Sequence, residues 1–158
     1  MTDFDRGALE ALESGPAFRL GEIAASPCSR STGVYTLWDE GVFLYVGIAR
    51  VDPGETNNPQ AEGIKGRLNT YRRARLTNDF PVKVFLRFVV PRLTQSELEA
   101  LSDGRLGMEE MGRLTRAHID QRITFRAHEC GKVSAMALEK QIRKAGLPLS
   151  GVPAFNPL

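Results

Sequence analysis

Two short apolar runs limit how this chain can fold more than any other feature. They are Gly33-Val34-Tyr35 and Tyr45-Val46-Gly47, on either side of the turn residues Asp39-Glu40-Gly41. Val, Tyr, Trp and Phe crowd positions 33–38 and 42–47, and these types suit a pleated surface, so a β-hairpin is predicted there. Each tyrosine has a glycine beside it. Bare backbone lets a phenol lie close, or lets a ligand approach.

The remaining elements follow from periodicity and punctuation. Met1 to Glu13 reads as a short acidic amphipathic helix, with Leu9 and Leu12 on one face and Gly15-Pro16 ending it. A connecting arm runs to Ser31. Arg50 to Gly63 is polar and rich in Pro, Gly and Asn, a loop long enough to be functional or mobile. Ile64 to Leu76 reads as a helix, and Val82 to Val90, bracketed by Pro81 and Pro91, as a mostly buried strand. Thr94-Gln95-Ser96-Glu97 fits a capping box for a helix to about Leu101, broken by Ser102-Asp103-Gly104. Met108 to Ile119 is a further helix and Ile123 to Ala127 a strand. Ser134 is the expected N-cap of a helix through Ala145, stopped by Gly146 and Pro148. Its buried stripe is Ala135, Leu138, Ile142 and Ala145, with Glu139 on the border.

The expected fold is therefore α/β in the α+β sense: a small central antiparallel sheet of three or four strands flanked by helices. One domain spans 1–158, with a helix and arm over 1–32 and an inserted helical region over 91–128. A chain of 158 residues is long enough for one sizeable core. No run approaches the roughly 18 apolar residues of a membrane span, and no signal peptide is evident, so a cytoplasmic location and no membrane partner are expected. Cys28 and Cys130 are too few for a disulfide framework, and no zinc-ligand spacing occurs. Net charge is only +2, but Ile64 to Leu76 holds Lys65, Arg67, Arg72, Arg73 and Arg75 and no acid. Such a face is either a solvated helix surface or a phosphate-binding one. His118, His128, Trp38, Met108 and Met111 read as packing or surface residues, and Cys130 beside His128 makes no triad.

The order of the pieces carries more than any one of them. The hairpin tripeptides, Gly66-Arg67-Leu68-Asn69-Thr70-Tyr71, Ala137-Leu138-Glu139-Lys140-Gln141-Ile142 and Phe155-Asn156 together resemble the GIY-YIG nuclease family. The likeness runs from Gly33 to Asn156. It implies hydrolysis of a nucleic-acid phosphodiester with one divalent cation, Mg²⁺ or Mn²⁺. Tyr35 is the implied base, Tyr45 positions water or phosphate, and Arg67 and Tyr71 reach phosphate oxygens. Glu139 is the implied metal ligand, and Asn156 ties the C-terminal segment to the site. Lys65, Arg67, Arg72, Arg73 and Arg75 are the implied DNA contacts.

Taken alone, Tyr35 and Tyr45 are ordinary strand aromatics, Arg67 a surface arginine, and Glu139 a border carboxylate paired with an arginine. Two departures from the family pattern stand out. Ile48 occupies the place where many members carry a lysine, leaving Lys65 or Arg50 to supply that charge, and the 50–63 loop is long. The expected activity is a Mg²⁺-dependent DNA endonuclease in restriction or phage defence. The alternative is a nucleic-acid-binding module of the same fold with weakened catalysis. A homodimer is one assembly that would suit double-strand cutting.

Overall fold

The computed structural model describes residues 3–27, 30–51 and 63–158. In chain order the elements are α1 (Asp3–Glu13), β1 (Phe18–Arg19), β2 (Gly33–Asp39), β3 (Val42–Ala49), α2 (Gly63–Arg72), α3 (Asp79–Val84), α4 (Gln95–Ser102), α5 (Met108–Arg122), β4 (Ile123–Glu129) and α6 (Lys132–Ala145). The strands form one antiparallel sheet in the order β1-β4-β2-β3, an α+β fold with the hairpin at one side and β3 on the edge. Of the 91–128 stretch, α4 and α5 are helical, while its last part is β4, inside the sheet between β1 and β2. The 52–62 part of the polar loop and Cys28 lie outside the described residues.

The hairpin turn places Glu40 (φ 46) and Gly41 (φ 86) in the left-handed region, the geometry that matches strand twist. Leu37 pairs with Tyr45 but Trp38 pairs with Phe43, so Leu44 is an extra, bulged residue. The bulge sends Phe43 and Tyr45 to opposite faces. Phe43 stacks on Trp38 at 4.9 Å, on the side packed by Leu9 and Leu12 of α1 and by Leu138 and Ile142 of α6. Tyr45 joins Tyr35 on the side packed by Ile64, Leu68 and Tyr71 of α2, Phe80 and Val84 of α3, and Ile119 of α5. The sheet thus separates two cores, and the site is built on the second face.

The strand expected over Val82–Val90 is helical instead. Asp79–Val84 is α-helix, Phe85–Val89 a π-helical turn and Val90–Arg92 a 3₁₀ turn. Pro81 stands in the first turn of α3, where a missing N–H costs nothing, and Pro91 opens the 3₁₀ turn. The buried residues Phe80, Val84, Phe85 and Val89 recur at helical spacing, whereas a short apolar run alone does not separate helix from buried strand.

Smaller corrections have local causes. β1 was hidden in the arm by its two-residue length. α2 stops at Arg72 because Ala74 turns to φ 50 and its N–H closes on the Tyr71 carbonyl at 2.9 Å. α6 begins at Lys132 after an extended Gly131, so Ser134 is not the cap, and Ala145 at the exit turn is exposed. The capping box at Thr94 forms, with both reciprocal hydrogen bonds present.

Candidate active site

Tyr35 pairs directly with Gly47 across the hairpin. Its phenol lies over that glycine, since a Cβ there would run into the Tyr35 hydroxyl and come within 2.9 Å of the Tyr45 ring. The bare backbone therefore admits a phenol from the neighbouring strand. Gly33 serves a second close approach: a Cβ would collide with the His128 carbonyl and lie 2.8 Å from Ile64, so α2 can settle on β2.

The chain has three tyrosines, and all three meet here. The Tyr35 hydroxyl donates to that of Tyr71 at 3.1 Å, and the Tyr71 hydroxyl donates to that of Tyr45 at 3.4 Å. The Tyr35 and Tyr45 rings stack with centroids 6.5 Å apart, and Tyr71 meets both edge-on. Phe80 closes the floor, 5.2 Å from Tyr71 and 5.6 Å from Tyr45. Arg67, one turn before Tyr71 on α2, holds its guanidinium 5.1 Å from the Tyr71 ring centroid. Tyr35 and Tyr71 are 1% and 3% exposed, so only Tyr45, half-buried, offers its phenol to solvent. Tyr71 thus links the two hairpin hydroxyls from inside and does not itself reach outward.

Burial dominates the electrostatics. It drives all three phenols well above their ordinary value, and mutual repulsion between prospective phenolates adds to it. Arg67 opposes the rise at each hydroxyl. Burial works against the charge of Arg67 itself, but the surrounding phenols outweigh it and raise its pKa. Arg67 is therefore the cation that acts on the cluster. Lys65 does not supply that charge, because its ammonium donates to the Ala24 carbonyl at 3.0 Å. Ile48 packs against the core on the opposite face.

A second group gathers at the edge of β3. The C-terminal segment runs along this edge: Ala154 and Phe155 donate their N–H groups to the Phe43 and Leu44 carbonyls at 3.1 and 2.7 Å. Asn156 continues the ladder with its side chain. Its Oδ1 accepts from the Val46 N–H at 3.1 Å and its Nδ2 donates to the Val46 carbonyl at 2.6 Å. Arg143 donates to the Asn156 carbonyl at 2.9 Å and reaches Glu139 at 3.4 Å. Val46 lies between Tyr45 and Gly47, so the phenols on one face and the Glu139–Arg143 pair on the other meet around one edge residue. No described contact joins Glu139 directly to the phenols. Arg143 was not singled out from sequence, although its spacing four residues after Glu139 was visible.

Among the described residues no three His, Cys, Asp or Glu side chains gather. Glu139, with a fifth of its side chain exposed and one long pairing, is a single-carboxylate site. That suits Mg²⁺ retaining most of its waters and taking oxygens from a phosphate; it does not suit a cage that holds a metal alone.

The basic face divides. Arg72 pairs with Asp120 of α5 at 3.1 Å and Lys65 turns to Ala24, while Arg73 and Arg75 are exposed. Elsewhere, His118 is more than the plain helix residue its sequence suggests. Its Nε2 lies 2.7 Å from Asp39, with Arg92 3.3 Å from its Nδ1 and Arg122 3.4 Å from Asp39. Burial pushes the Cys130 thiol up, against a nucleophilic role. No protein-family model, curated protein or solved structure matches the chain.

Proposed function

We propose that this chain is a divalent-metal-dependent endonuclease that hydrolyses DNA phosphodiester bonds with GIY-YIG-type machinery. The observation that carries this reading is the chain of three phenol hydroxyls beside Arg67, ending at the half-buried Tyr45. A buried hydrogen-bonded phenol chain with one open end suits proton transfer, and a guanidinium beside it suits a phosphate. Tyr45, the open end, meets the attacking water. The Tyr35 and Tyr71 hydroxyls direct their hydrogens along the chain toward the Tyr45 oxygen, so they support a Tyr45 phenolate, which takes the proton of the water and passes it to solvent; Tyr35 acts through the chain and not by touching water. Arg67 donates to phosphate oxygens and opposes the rise in phenol pKa, which makes deprotonation less costly. Glu139 would hold Mg²⁺ or Mn²⁺, which supplies stabilisation of the leaving oxygen. Asn156 and Arg143 hold the edge of β3 and the Glu139 carboxylate in register.

The test pairs a plasmid-cleavage time course with filter binding, in Mg²⁺ and in EDTA. Glu139→Ala and Glu139→Gln should both abolish cleavage, since the amide keeps shape and loses charge, yet leave DNA affinity near normal. Arg67→Lys, which keeps charge and loses the fork, should cut about a hundredfold more slowly. Robust cleavage in EDTA or by Glu139→Ala would overturn the one-metal reading. DNA binding with no cleavage under any metal would leave a binding module of this architecture.

A further inference from the structure

Beyond the phenol cluster, the turn after α2 and the start of α5 enclose a groove of about 600 Å³. Four arginines line it, Arg73, Arg75, Arg113 and Arg116, against the one carboxylate of Glu109. The backbone builds this concentration. Ala74 is buried at φ 50, and the left-handed turn leaves Arg73 and Arg75 exposed on either side of it. α5 packs on the same turn, so that a Cβ at Gly112 would lie 3.6 Å from the Ala74 carbonyl, and brings Arg113 and Arg116 up as the second wall.

The existing partners differ in strength. Arg113 grips Glu110 with two hydrogen bonds, at 2.8 and 2.5 Å, whereas Arg116 reaches Asp120 only at 3.6 Å and Asp120 is held more closely by Arg72. Both arginine side chains are more than half exposed, so solvent screens the pairs and a phosphate can approach each guanidinium. No carboxylate among the described residues pairs with Arg73 or Arg75.

We infer that this groove is a second contact surface for the sugar-phosphate backbone of duplex DNA. It extends the path from Arg67 past the end of α2 and onto α5, an inference that rests on the endonuclease reading. Arg73, six positions after Arg67 and one past the end of α2, lies about 9 Å further along the helix direction, within the span of a few phosphates of one strand. Four arginines on two walls offer more positive charge than one phosphate uses, whereas a continuous backbone can engage them in turn. The contacts are to phosphate, so they carry affinity and not sequence choice.

The experiment is filter binding of the full chain to two unrelated duplexes across a salt series in EDTA, beside cleavage in Mg²⁺. The Arg113→Ala/Arg116→Ala variant should weaken both duplexes equally and flatten the slope of log affinity against log salt by about 1.8, roughly 0.9 for each phosphate contact. Arg113→Lys/Arg116→Lys should keep the slope, because point charges suffice for that effect. Arg6→Ala, an exposed arginine on α1 across the sheet, should leave it unchanged. At saturating DNA the alanine variant should still cleave. An unchanged slope in a chain whose wild type binds and cuts would overturn the groove and leave the endonuclease reading standing. A flattened slope with no cleavage by the wild type would keep the groove and overturn catalysis. Equal flattening by Arg6→Ala, or no DNA binding by the wild type, would overturn the groove outright.

Discussion

At the residue scale, the site depends on glycine as much as on tyrosine. Gly47 has no Cβ to displace the Tyr35 phenol, and that absence lets three hydroxyls come within hydrogen-bond range. The consequence can be read in an alkaline titration. Because the three clustered residues are the only tyrosines in the chain, phenolate absorbance reports on this cluster alone. Each phenol is raised above the ordinary value of about 10, so the folded chain keeps its protons where the unfolded chain releases them. Stability should therefore be full below about pH 10 and fall as pH rises beyond it. Phenolate should appear together with unfolding, with no separate titration near 10. Three phenols ionising independently near 10 in a chain that circular dichroism shows still folded would contradict this account.

Edge-strand protection is the issue at the scale of the element. β3 would otherwise leave unpaired backbone groups beside the site. The C-terminal segment covers it with two backbone bonds, and Asn156 adds two more through its amide, which imitates a peptide unit at Val46. Asn156→Ala should cost about 1–3 kcal/mol in urea unfolding, because the peptide groups of the buried Val46 lose both Asn156 partners. Asn156→Asp keeps an acceptor for the Val46 N–H but sets a carboxylate against the Val46 carbonyl, so it should not restore stability. Wild-type stability in both variants would show that water replaces the clamp at no cost. That Asn156 ties the C-terminal segment to the site was implied by the family resemblance. Its partner was not legible, because the contact spans 110 residues.

At the scale of the whole molecule, the sheet divides two cores, and one buried polar cluster ties α5 to the end of β2 on the Tyr35 side. Asp39 ends β2 on the same face as Tyr35, and His118 reaches it from α5, stacked on Phe88 at 4.9 Å. Arg92 and Arg122 approach the pair, and Arg122 also holds Glu40 in the hairpin turn at 2.6 Å. Burial lowers the His118 pKa. It outweighs the nearby Asp39 carboxylate, which raises the pKa, and Arg92 and Arg122 add smaller contributions in the same direction as burial. With the folded pKa below the unfolded value of about 6.5, the unfolded chain takes up a proton first. The stability contribution should be full above about 6.5 and be lost as pH falls below it. Between about pH 7 and 5 the wild type should thus lose more stability than His118→Gln, which has no proton to gain at that position. Parallel losses in thermal unfolding would remove His118 from the account.

The hairpin, its turn, the capping box at Thr94 and the helices over 64–72 and 108–119 were legible in the sequence because local forces set them. Glycine conformations, β-propensity and side-chain capping act within a few residues. The meeting of Tyr35, Tyr45 and Tyr71 was half legible: their spacing placed them on two strands and one helical face. Only the tertiary structure decided that all three hydroxyls touch, because this depends on the Leu44 bulge and on α2 settling over Gly33. The 82–90 run was misread because its exposed face also carries an apolar residue, Leu86, which hides the helical spacing of the buried ones. The division of the basic face, the Glu139–Arg143–Asn156 linkage and the Asp39–His118 pair likewise lay beyond the sequence. Each joins residues whose partner is chosen by packing, and packing is a property of the assembled layers, not of any segment within them.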